Sequence, residues 1–229
     1  MELTPQVSGP PPGAVWIRVV LWAILLMVVA GVGVVWWATD REARQARHAI
    51  EDAGELPILS RLPELQLTSR DGSEVELSDL AGRPWVVDAI FTRCGLTCPR
   101  MTSKMLALGA ELPPGVGRIS ISVDPEHDDP ATLAEYARSH GVADDADWLF
   151  LTGAPEAIRR VVLDGLLLGY GATEAEGEAA TLEPITHSTR FVLLDGEGQV
   201  RGYYDAFEPA DVDRLVRDAG RLVAAGVGA

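Results

Sequence analysis

Cysteine is scarce in this chain: Cys94 and Cys98 are the only two among 229 residues. No third thiol competes with that pair for a metal or a disulfide. A bridge between them would close so short a loop that it would stabilise little, because loop-closure entropy grows with loop length. Lysine is scarcer still, with Lys104 alone, a compositional bias without a functional reading. Basic charge as a whole is thin, 19 Lys and Arg against 34 Asp and Glu, for a net charge of −15. From residue 56 onward the balance is 15 against 28, or −13. Such a surface repels phosphate backbones and excludes nucleic acid as a natural partner. A partner with a basic patch fits it better. No internal repeat is present.

Charge is absent altogether from one long stretch. Val19 to Ala38 is twenty residues without Asp, Glu, Lys or Arg. As a helix it would be roughly 30 Å long, the thickness of a bilayer's hydrocarbon core. Trp16, Trp36 and Trp37 stand at its ends, where aromatic rings favour the interface. The expectation is a single membrane anchor over residues 16–38. No small-residue cleavage site follows, which argues against a removed signal peptide. Residues 1–15, with Pro5 and Pro10 to Pro12, read as a disordered tail, and residues 39–59 as a helical stalk and linker. Arg18 precedes the span, whereas Arg41, Arg44 and Arg47 follow it. By the positive-inside rule this distribution favours a cytoplasmic carboxyl-terminal domain.

Residues 60–229 alternate strand and helix patterns. Leu65–Thr68 and Glu74–Leu77 flank Ser-Arg-Asp-Gly, a hairpin signal. Trp85–Phe91 is apolar enough for a buried central strand. A helix is expected over Pro99–Leu112, then a strand at Arg118–Val123 and a helix at Pro130–His140. A strand at Trp148–Thr152 and a helix at Pro155–Leu163 follow. Gly171–Glu183 is acidic and rich in small residues, the composition of a surface loop. Arg190–Leu194 and Val200–Tyr204 form a second hairpin, and Asp211–Ala224 a terminal helix with an apolar stripe. This order is that of a thioredoxin-like α/β domain, with both cysteines at its first strand-to-helix junction.

The junction reads Phe91-Thr-Arg-Cys-Gly-Leu-Thr-Cys-Pro-Arg-Met101. Proline favours the first helical position, so Cys98 falls at or just before the helix start. A helix amino terminus favours thiolate. Gly95 lets the chain turn back so that both sulfurs face one spot. The pair can form a disulfide or hold a soft metal ion, and Cu(I) suits thiolates. Met101 and Met105 lie at helical spacing, as core residues do. A thioether role for them is the lesser reading.

Phe-Thr-x-Cys-x-x-x-Cys-Pro after a buried strand resembles the Sco (SenC-like) family of membrane-anchored copper chaperones. So do Ile119-Ser-Ile-Ser-Val-Asp-Pro-Glu-His-Asp128, Leu133-Ala-Glu-Tyr-Ala137, Trp148-Leu-Phe-Leu-Thr-Gly153 and Ile185-Thr-His-Ser188. The resemblance spans roughly residues 60 to 222 and the anchor. It implies that Cys94, Cys98 and a distant histidine bind copper, as Cu(I) or Cu(II), and that the protein helps assemble the copper centre of cytochrome c oxidase. The implied partners are the oxidase's copper-bearing subunit or another copper chaperone. Such a site is lost when its thiols oxidise, so a domain facing an oxidising compartment also needs a thioredoxin-like reductant as partner. The implied location of the domain is the outer face of the membrane, against the arginine count. Of four histidines, His187 aligns with the family's ligand. His48 lies in the stalk, His140 at a helix end, and His127 among acids in a turn. Asp124 and Asp128 match the family's Asp-x-x-x-Asp pair. They either shape the site's field or dock a partner, or belong to a helix-start turn in which Asp128 or Asp129 caps the helix at Pro130. One departure is Gly95-Leu96-Thr97, where the family has Pro-Asp and then Val or Ile.

Two other chemistries stay open. A thiol–disulfide oxidoreductase would cycle Cys94 and Cys98 as its catalytic pair. Oxidoreductases of this fold usually have two residues between the cysteines, and this chain has three. A thiol peroxidase would place a threonine three residues before its cysteine, whereas Thr92 is two before Cys94.

Overall fold

The structure is a computed structural model that describes residue 16 and residues 18–32, 55–143, 147–172 and 185–226. It divides into one unit over residues 1–55 and another over residues 56–229. In the first, residues 18–32 are helical and exposed. Among the described residues, no helix is long and apolar enough to cross a membrane. The expected tail at residues 1–15, residue 17 and residues 33–38 of the expected span, and the stalk up to residue 54 lie outside the described residues.

The second unit is built around Trp85–Ile90 (β4), buried at every position. A strand with no solvent-facing side needs neighbours on both edges and cover on both faces. It pairs in parallel with Gly117–Ser122 (β5), which pairs in parallel with Trp148–Thr152 (β6). On its other edge it meets Arg190–Leu194 (β9), antiparallel. Gln199–Asp205 (β10) and Ser60–Arg61 (β1) extend that side. Gln66–Ser69 (β2) and Glu74–Glu76 (β3), the expected hairpin, extend the other. The eight strands run β1-β10-β9-β4-β5-β6-β2-β3.

Residues 18–32 are named α1. Thr97–Leu108 (α2) and Pro130–Ser139 (α3) connect the parallel strands. Pro155–Arg159 (α4) follows β6, and Pro209–Gly226 (α5) packs on β10. The order of elements is the one expected of a thioredoxin-like domain, and several boundaries shift. α2 starts two residues before Pro99 and ends at Leu108. α4 widens into a π-helical turn over Arg160–Gly165. Tyr170–Ala172 (β7) and Ile185–His187 (β8) form a separate two-stranded sheet where a loop was expected to begin. Residues 173–184 lie outside the described residues.

Candidate metal centre

β4 ends at Ile90, and the chain turns at once. The amide of Cys94 donates to the carbonyl of Phe91 at 3.3 Å, closing a turn over Phe91–Cys94. α2 then begins at Thr97 behind Leu96, which has no side-chain cap. Leucine is a poor amino-terminal cap. Sulfur takes part of that role: the Cys98 amide points at Cys94 Sγ, 3.3 Å away. Cys94 and Cys98 are therefore neighbours, both buried, and no disulfide joins them.

The expectation that the helix terminus would favour a Cys98 thiolate does not hold. Its thiol is pushed far up, first by the hydrogen bond it shares with Cys94, then by burial, with the charge of Cys94 adding to these. Cys98 has no exposed surface, and desolvation there outweighs the terminal dipole, which acts over a single turn. The Asp88 carboxylate adds to the same effect. Asp88 is not among the residues expected at the site, although an acid in the middle of an apolar strand is a visible signal. It is fully buried in β4 and accepts a hydrogen bond from Ser120 Oγ at 2.6 Å. Ser120 Oγ in turn accepts one from Trp148 Nε1 at 3.0 Å.

His187 ends β8, and nothing further is described of its side chain. Its chain neighbours are informative. β9 runs antiparallel to β4 with Trp85 opposite Leu194 and Val87 opposite Val192. The entry to β9 thus lies at the end of β4 where the cysteine loop departs. The Ala206 amide donates to the Thr189 carbonyl at 3.1 Å. Next to it, the Phe207 ring lies under the Arg100 guanidinium, 4.6 Å from ring centre to Cζ. The segment just after His187 is so tied to the first turns of the cysteine helix.

The other candidates take ordinary places. Met101 and Met105 are core residues. His140 sits at the carboxyl end of α3, against the Tyr136 ring at 4.1 Å. His127 is half-exposed and pairs through Nδ1 with Asp124 Oδ1 at 2.9 Å. His48 lies outside the described residues. Asp129, and neither Asp124 nor Asp128, caps α3 by accepting from the Thr132 amide at 2.8 Å. Burial raises the Asp124 carboxyl, but Arg93 and His127 overcome this and hold it below the usual carboxylate range. Among the described residues, no group of three or more His, Cys, Asp and Glu side chains is gathered to hold a metal ion.

The model of the SCO1/SenC family matches residues 61–223. A SCO1 protein homolog of Bacillus subtilis is 31% identical over 167 residues, covering 71% of this chain and 82% of the homolog. The solved structure of BsSco, a member of the Sco family of cytochrome c oxidase assembly proteins in which a disulfide switch has been identified, is similar with a TM-score of 0.60. It is 30% identical, and the match covers 73% of this chain and 97% of that one. Arabidopsis thaliana ScoI, solved with copper bound, is 25% identical with a TM-score of 0.59, over 72% of this chain and 99% of its own. With a thioredoxin-like sheet, a cysteine pair at its first strand-to-helix junction and a family match over most of its length, the chain belongs to the SCO1/SenC family.

Proposed function

We propose that the protein binds copper through Cys94, Cys98 and His187 and delivers it during assembly of the copper centre of cytochrome c oxidase. The observation that carries this is the pair of adjacent thiols, with the Cys98 amide 3.3 Å from Cys94 Sγ, in a family with a copper-bound member. Two thiolates and an imidazole form a three-coordinate set that accommodates both copper oxidation states. The entry to β9 at the cysteine end of β4 supports His187 as the third donor. The test is copper titration of the reduced protein beside its His187→Ala variant. A weaker affinity and an altered Cu(II) spectrum are expected. Wild-type affinity with an unchanged spectrum would rule out the three-ligand site.

The same contact favours a second reading, thiol–disulfide exchange with a copper-site protein. Two neighbouring thiols can reduce a partner disulfide, passing it two electrons and two protons and closing their own bridge. A thioredoxin-like reductant would then restore the pair. Failure of the reduced protein to open any disulfide of a copper-free oxidase subunit would remove this reading.

The segment that carries the cysteines differs in charge from the rest of the chain. Between Asp88 and Glu111 the chain carries Arg93, Arg100 and Lys104 and no acid. Leu96 stands 51% exposed between the cysteines. The net charge of the chain points to basic partners, but Arg100, Lys104 and Leu96 suit a copper recipient that presents carboxylates around an apolar contact, Arg93 being already paired with Asp124. The charge-free amino-terminal run serves as the anchor in this reading, with the domain on the outer face of the membrane. A carboxyl-terminal reporter active only in the cytoplasm would overturn that orientation.

A further inference from the structure

Two carboxylates of one loop grip the two residues that lead into Cys94. Asp128 is fully buried. Its Oδ2 accepts the Thr92 amide at 3.0 Å and the Ser122 hydroxyl at 2.5 Å. Its Oδ1 accepts the Thr92 hydroxyl at 2.5 Å. Asp124 Oδ2 accepts from Arg93 Nε at 2.5 Å. The loop itself is closed: the Asp124 carbonyl accepts the amides of His127 and Asp128, at 3.0 and 2.9 Å. The Asp124 amide donates to Ser122 Oγ at 3.1 Å, so the two acidic residues share one hydroxyl as a brace.

Helix capping does not account for Asp128, because Asp129 performs it. Stability alone is a poor account of a buried charge, since apolar replacements of buried ionic groups are often neutral or better. What the three bonds accomplish is geometric. Thr92 is the second residue of the turn Phe91–Cys94, and Asp128 holds it by main chain and side chain together. That fixes the direction in which the chain enters Cys94, and so where its sulfur stands relative to Cys98.

We propose that Asp128 is a positioning residue for the cysteine pair, setting the Cys94 sulfur through Thr92, with Asp124 and Arg93 as the outer half of the same clamp. The proposal deepens the copper reading and rests on it for its metal readout. The redox readout needs no metal.

The test compares full-length wild type with Asp128→Ala, Asp128→Asn and Thr92→Val. Measured are Cu(I) affinity, the potential of the Cys94–Cys98 dithiol/disulfide couple, and thermal stability. Loss of an outer partner of a metal site typically costs 10- to 100-fold in affinity, and about that is expected for Asp128→Ala. The dithiol/disulfide equilibrium should move by about tenfold or more, about 30 mV. Asp128→Asn should stay within a few-fold of wild type. Its amide oxygen can take the place of Oδ2, and its NH2 can donate to a rotated Thr92 hydroxyl. Thr92→Val loses only the hydroxyl bond and should shift both quantities the same way, by a few-fold. It carries the test if Asp128→Ala does not fold. Folded Asp128→Ala with wild-type affinity and potential would overturn the proposal. So would Asp128→Asn as impaired as the alanine variant, or, where Asp128→Ala does not fold, Thr92→Val unchanged in both quantities. If wild type takes no copper, the copper reading fails and the potentials still decide the positioning role.

Discussion

Loading the cysteine pair with Cu(I) should expel more protons at alkaline pH than two ordinary thiols would. Both sulfurs must be thiolates to ligate, so each proton still present in the reduced protein leaves as the metal enters. A free cysteine has a pKa near 8.5. At pH 7 such a thiol is almost fully protonated, and a normal pair and this pair would both release about two protons. At pH 9 a normal thiol is only about one-quarter protonated, and a normal pair would release about half a proton. Here the hydrogen bond between Cys94 and Cys98, followed by burial, raises the Cys98 thiol far above that range. The sign is clear: a group with a raised pKa keeps its proton as pH climbs through the ordinary value. The reduced pair thus still holds at least one proton at pH 9, and loading should release about one or more. By linkage, affinity should keep rising about tenfold per pH unit across that range. The assay is an anaerobic titration of the reduced full-length protein in weakly buffered solution with a pH indicator. Cu(I) is added as its acetonitrile complex, which brings no proton. Release of half a proton or less at pH 9 would refute the claim that burial and mutual hydrogen bonding keep this pair protonated.

Two further outcomes concern the scaffold under the site. Gly117→Ala should destabilise the protein by about 1–3 kcal/mol, because a Cβ there would overlap the ring of Trp85. That ring cannot swing away: it is buried, and its Nε1 donates to the Leu80 carbonyl at 2.7 Å. Urea denaturation with an unchanged midpoint would count against this packing. Asp124→Asn should cost about 1–2 kcal/mol at pH 7 by weakening charge-assisted bonds to Arg93 and His127, with part screened at the half-exposed Arg93. The Asp124 carboxyl is held low, so its contribution is complete above the ordinary carboxylate pKa near 4 and is lost as pH falls through the lower folded value. The gap between wild type and variant should therefore shrink below about pH 4. A gap independent of pH would show that Asp124 acts without its charge.

Much of the fold was legible because its elements carry periodic signals. Trp85–Ile90 is almost wholly apolar since both its faces are covered, and composition alone reveals that. The hairpins about Gly72 and Gly198 follow from turns whose glycines adopt positive φ. Elements without periodicity were missed. β1 is two residues long, and β7 and β8 are three each, too short for alternation to register. The π-helical turn at Arg160–Gly165 leaves no mark in a helical pattern. Among Asp124, Asp128 and Asp129, sequence offered both a cap and a site role. Adjacent acids differ only in the direction their side chains take, and packing sets that direction.

The sequence by itself determined the chemistry available. Two thiols with three residues between them, a proline at a helix start and a histidine before a later strand are covalent facts, and they limit the site to dithiol or soft-metal chemistry. Tertiary structure decided how those groups are tuned. Its place at a helix start gives Cys98 the dipole of its own helix, which favours a thiolate. Folding buried it beside Cys94 and within reach of the Asp88 charge, and reversed the sign. It also passed the α3 cap to Asp129 and turned Asp128 onto Thr92. Desolvation and hydrogen-bond direction depend on neighbours distant in the chain, and no reading of residues in order supplies those.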